Sequence, residues 1–150
     1  MVDEYNKRAE SDGLSMCAYT GNLASEDGEP ATFISSSFFA FDLVAIGLGF
    51  HHFSNPILAA KRLAARLSPG GKFLIIDNVS DNNGFSRESV EALFLEAGVA
   101  KDFEFSVIDK PLNIGRGPAA WEQKVFIARG SKPMCDEGIV GELQQEAEHE

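Results

Sequence analysis

The stretch "FDLVAIGLGFHHFSNPILAAKRLAARLSPGGKFLIID", residues 41–77, decides the fold. Together with the preceding "FFA", its opening is apolar almost without a break as far as Phe50. A strand with one wet face alternates apolar and polar residues, whereas a strand covered on both faces does not. The second half, "KFLIID", is another such run and ends at Asp77. Between them lies a helical signal. Asn55 suits the cap and Pro56 the first helical position. Ile57, Ala60, Leu63, Ala64 and Leu67 recur at helical spacing, with Lys61, Arg62 and Arg66 off that stripe. "SPGG", Ser68 to Gly71, reads as the turn that ends the helix. Strand, helix, strand in this order predicts a parallel pair wound by a helix.

The same reading extends outward in both directions. "MVDEYNKRAESDG" places Val2, Tyr5 and Ala9 on one helix face, with Gly13 just past its end. "SMCAYT", Ser15 to Thr20, predicts a short strand, "GNL" the turn after it, and "ASEDGEPATFISSS" a polar loop. Downstream, "NVSDNNG" is a loop. From Ser86, Val90, Leu93, Phe94 and Ala97 trace a second helix that Gly98 closes. "DFEFSVID" and "WEQKVFIAR" predict two final strands with no helix between them, hence an antiparallel pair at one edge. From Gly130 onward, Asp136, Glu137, Glu142, Glu146, Glu148 and Glu150 stand against Lys132 alone. This predicts a domain over residues 1–130 and an acidic, flexible tail over 131–150.

Composition narrows the function classes. At 150 residues the chain fits one domain, and a net charge of −10 repels phosphate backbones, so no nucleic-acid partner is expected. No apolar run approaches the roughly 20 residues that cross a bilayer, so no membrane partner is expected either. Cys17 and Cys135 are far apart and form no CxxC pair, as free thiols in a cytoplasmic protein would be.

His51 and His52 are the most reactive side chains of the central stretch. Adjacent residues point in different directions, and nothing nearby completes a ligand set, so no metal is expected. An imidazole changes charge near neutral pH and can take a proton from a substrate. The alternative is that one histidine packs while the other caps the following helix.

In order and spacing, the Phe41-Asp42 opening, the His-His turn, the helix, Leu67-x-Pro-Gly-Gly and the strand ending at Asp77 resemble class I S-adenosylmethionine-dependent methyltransferases acting on small molecules. "MVDEYNKRA" is similar to the helix after that family's second strand, and "GNL" to the turn after its third. The resemblance implies an α/β fold: a Rossmann-like sheet, mostly parallel, with an antiparallel C-terminal strand pair. It implies methyl transfer from S-adenosylmethionine to a small-molecule acceptor. His51 and His52 would then line the acceptor side. Asn22 and Leu23 would meet the adenine, where Asn22 could instead be only a turn residue. Gly47 and Leu48 would pass the methionine end, where Gly47 could equally just end a strand.

The departure from the family is specific. Neither the strand with its acidic residue and glycine-rich turn nor the acid for the ribose hydroxyls is found, because Gly47-Leu48-Gly49 and Gly115-Arg116-Gly117 lack the third glycine and its context. The expected sheet therefore lacks the family's first two strands. In the family order 3-2-1-4-5-7-6 that gap falls beside the strand at Phe41, leaving an open apolar edge. A truncated product, or completion by a partner chain or by self-association at that edge, would follow. So would weak or absent cofactor binding.

Overall fold

The computed structural model describes residues 1–79, 85–114 and 121–134. Helix α1 spans Val2–Ser11, α2 Pro56–Ala65 and α3 Arg87–Glu96. The strands are β1 Phe41–Gly47, β2 Leu67–Asn78, β3 Lys101–Val107, β4 Leu112–Ile114, β5 Trp121–Gln123 and β6 Val125–Ser131. Four of them form one sheet in the order β1-β2-β6-β3. β1 and β2 are parallel, and β6 runs antiparallel to both β2 and β3. This is the 4-5-7-6 portion of the methyltransferase order, with the expected antiparallel pair at one edge and β1 at the other. β4 and β5 form a separate small hairpin that the sequence did not announce.

The core lies between the sheet and the α2–α3 layer. Val44, Phe73, Ile75, Phe126 and Ala128 of the strands meet Ala59, Ala60, Ala64, Val90, Leu93 and Phe94 of the helices. Asn55 caps α2 through Oδ1, which accepts the Leu58 N–H at 3.0 Å. Ser86 and Ser89 cap α3 reciprocally. Lys61 joins the two helices through Glu96 at 2.8 Å, and that hydrogen bond with its charge holds the Glu96 carboxyl below its ordinary value. Both side chains are exposed, so the pair adds little stability. Gly130 packs directly against Phe94 of this layer and the Val99 backbone that follows it. A Cβ there would strike the Val99 carbonyl oxygen and lie 2.8 Å from Phe94 Cδ1. Gly130→Ala is therefore expected to cost about 1–3 kcal/mol by overpacking. Urea denaturation checks this, and a wild-type midpoint would contradict the packing described.

Three sequence expectations are corrected. Ser15–Thr20 forms no strand. A strand needs a neighbouring backbone, and here the Asn6 side chain takes that place: Oδ1 accepts the Ala18 N–H at 2.6 Å and Nδ2 donates to the Ala18 carbonyl at 3.0 Å. The Pro-Gly-Gly segment is not a bare turn but a bulge within β2. Phe41 pairs with Leu67 and Leu43 with Lys72, so extra β2 residues loop out between them. Gly70 takes φ +77° there, and its N–H bonds the Lys132 carbonyl while Lys132 N–H bonds the Gly71 carbonyl, both at 2.9 Å. Leu67 accordingly belongs to β2 and not to the helix stripe. Finally, "WEQKVFIAR" is two strands, β5 and β6, broken at Lys124.

Ser131 ends β6, and the Lys132 ammonium donates to the Ala64 carbonyl at the end of α2 and to the Leu67 carbonyl at the start of β2. The expected acidic tail from Cys135 onward, the Gly115-Arg116-Gly117 run and most of the "NVSDNNG" loop lie outside the described residues. No helix among the described residues is long and apolar enough to cross a membrane.

Candidate functional site

The carboxyl ends of parallel strands gather sites in open α/β sheets. β1 ends at Gly47, and Leu48 then takes φ +52°, a left-handed conformation uncommon for a branched side chain. Its N–H bonds the Ile76 carbonyl at 2.8 Å, which keeps the turn against β2. A tight turn over Phe50–His52 follows. Phe50 is fully buried and meets Phe53 and Phe85 with ring centroids about 5.5 Å apart. That anchor leaves the next two residues, the histidines, facing outward.

His51 pairs with Asp77 at the end of β2. Its Nδ1 lies 2.6 Å from Asp77 Oδ1, and its backbone N–H donates to Oδ2 at 3.0 Å. The Asn78 N–H donates to Oδ1 at 2.7 Å. Asp77 is 0% exposed and the His51 side chain 28%. A carboxylate can only accept, so a neutral His51 carries its proton on Nδ1 and keeps a lone pair on Nε2. This arrangement can orient an imidazole as a general base. The His52 ring lies 4.0 Å from the His51 ring, tilted by 43°. Neither histidine caps the helix, because Asn55 does. Asp77 was readable from the sequence only as an acid at a strand end. Its partner stands 26 positions earlier, and no local pattern signals that pairing.

Asn22 and Leu23 do come to this end of the sheet. With Gly21 they form one wall of a cavity of about 240 Å³ whose other walls are Ala45, Ile46, Phe53, Ala59 and Leu63. Asn22 Oδ1 accepts the Ala24 N–H at 2.9 Å, so the turn role is in place and one lone pair is left for a ligand. A Cβ at Gly47 would meet nothing within 4 Å, so the backbone there borders open space. Two features stand at this end of the sheet. One is an apolar slot with one amide, and the other an open glycine at the end of β1, four residues before the imidazole that Asp77 holds. Among the described residues no group of acids, histidines and cysteines could hold a metal ion.

No family model and no curated protein matches the sequence. Solved structures do match. The YcgJ protein from Bacillus subtilis superposes with a TM-score of 0.65 at 14% identity, over 89% of this chain and 78% of that one. A candidate methyltransferase from Bacillus halodurans C-125 gives 0.59 at 12%, over 89% and 79%. A candidate methyltransferase from Haloferax volcanii, in complex with the Trm112 methyltransferase activator, gives 0.61 at 18%, over 89% and 68%. At such identities the likeness is one of fold. The chain has the class I S-adenosylmethionine-dependent methyltransferase fold, with the strands from β1 onward in the order that fold requires.

Proposed function

We propose that the chain carries the acceptor-side half of an S-adenosylmethionine-dependent methyl-transfer site for a small-molecule substrate. The observation that carries this reading is the His51–Asp77 pair at the carboxyl ends of β1 and β2, within a methyltransferase fold. Bound S-adenosylmethionine would supply an electrophilic methyl group on a sulfonium. Asp77 fixes His51 by two contacts, ring and backbone, so that Nε2 takes the proton of an acceptor hydroxyl or amine as it attacks. His52 forms the neighbouring wall. Asn22 and Leu23 receive the adenine end, and Gly47 and Leu48 border the methionine end. Affinity is expected to be weak, because no glycine-rich turn or ribose-binding acid is found in the sequence.

The test uses millimolar S-adenosylmethionine labelled on its methyl group, with phenolic, amine and carboxylate acceptors. Label appearing on one acceptor class supports the reading; no transfer to any of them counts against it.

A second reading is favoured by β1, whose outer edge has no partner strand among the described residues and which exposes Phe41 and Leu43. A non-catalytic module, or one that needs a partner chain or a second copy along that edge, would present such a strand. The Haloferax neighbour, held by an activator, is a precedent for partnership. A stoichiometric partner on purification supports this reading, and a monodisperse monomer opposes it. We place the protein in the cytoplasm on the exposed free thiol of Cys17.

A further inference from the structure

The wall that carries Asn22 and Leu23 belongs to a long loop with no strand to hold it, yet its carbonyls are tied to α2. The Arg62 Nη1 donates to the Leu23 carbonyl at 2.9 Å and to the Ser25 carbonyl at 2.6 Å. Its Nε lies 3.5 Å from Glu29, and its side chain is 15% exposed. Glu29 is shared with Arg66, whose Nη2 reaches it at 3.0 Å and also donates to the Phe33 carbonyl at 3.3 Å. Phe33 in turn packs so closely on Gly21 that a Cβ there would overlap its ring. Arg62 stands one turn from Ala59 and next to Leu63, and both line the opposite wall of the same cavity.

We infer that Arg62 is a positioning residue: it sets the Asn22–Leu23 wall against α2 and so holds open the slot that takes an adenine ring. The inference rests on the methyl-transfer reading for the identity of the ligand, but the placement of the loop does not. A guanidinium suits the task because its donors are fixed in one plane and can serve two carbonyls and a carboxylate together. A lysine ammonium in the same place can satisfy fewer of them.

Two measurements test this in the full chain. The first is amide hydrogen exchange. In Arg62→Met, which keeps the apolar stem and helix propensity, the Ala24 amide should exchange at least about tenfold faster than in the wild type, a loss of about 1.4 kcal/mol of local protection. Amides of α2 and β1 should keep their rates. Faster exchange everywhere, or no change at Ala24, would overturn the inference. The second is calorimetric titration with S-adenosylhomocysteine. Affinity should fall about tenfold in Arg62→Met and recover in part in Arg62→Lys. Equal affinity in all three forms would overturn it. If Arg62→Met does not fold, the comparison of Arg62→Lys with the wild type decides. If the wild type shows no binding, the methyl-transfer reading fails, while exchange at Ala24 still decides whether Arg62 holds the loop.

Discussion

Asp77→Ala is expected to destabilise the protein by about 3–5 kcal/mol. The carboxylate is fully buried and accepts the His51 N–H, the Asn78 N–H and the His51 ring. Truncation leaves all three donors facing a cavity. With a denaturant slope of about 2 kcal/mol/M, the urea midpoint should drop by roughly 2 M. Asp77→Asn is the informative companion. Both carboxylate oxygens face N–H donors, so an amide must turn its own NH₂ group toward one of them whichever way it is placed. It should fold with less loss than Asp77→Ala but release His51 from its orientation. A midpoint within about 0.3 M of wild type for Asp77→Ala would mean that this acid does not organise the turn.

The second large effect is on activity. If His51 takes the acceptor's proton, His51→Gln should lower the rate of methyl transfer by about 10²–10⁴-fold, the range of general base catalysis. Glutamine preserves size and can still donate toward Asp77, but it offers no basic nitrogen. The fold should survive, because the buried anchor of this turn is Phe50 and not the histidine. His52→Gln is expected to change the rate much less. Its ring lies tilted beside that of His51, and among the described residues no carboxylate holds it. Equal losses in the two variants would place the histidines in a binding wall and remove the base. An unchanged rate in His51→Gln would do the same.

Much of this could be read from residues 41–77. Continuous apolar runs marked β1 and the second half of β2, and Asn55-Pro56 marked the start of α2, because burial on both faces and helix capping leave local signatures. What the sequence concealed depends on partners far along the chain. Ser15–Thr20 has strand-like composition, but strand formation needs a neighbouring backbone, and Asn6 supplies the hydrogen bonds instead. Pro69-Gly70-Gly71 carries turn chemistry, yet its hydrogen bonds go to Lys132 and make it a bulge in a long strand. Asp77 is legible as the acid that ends a strand, but its partner His51 stands 26 positions earlier and leaves no local mark. Arg62 resembled a solvent-facing helix residue, and its carbonyl partners lie 37 and 39 positions earlier. In each case the apolar pattern fixed which surfaces are buried, while the polar pairings followed only from the way the chain folds back.

The open side of β1 bears on both readings of function. Leu43 is 56% exposed on an edge strand whose one charge is Asp42, whereas the opposite edge strand, β3, carries Lys101, Asp102 and Glu104. Charged edges resist further pairing and apolar ones invite it. A chain that works through this edge and a chain that binds its ligand alone differ in one respect: the second must show its site without help.

The most direct test of the central claim is therefore a titration of the isolated, isotope-labelled protein with S-adenosylhomocysteine, followed through its amide spectrum. The account predicts weak, saturable shifts confined to Asn22, Leu23, Ala45, Gly47, Leu48 and His51, the residues that the fold brings to the ends of β1 and β2. Shifts absent from these residues at saturating ligand, or grouped elsewhere on the sheet, would contradict it.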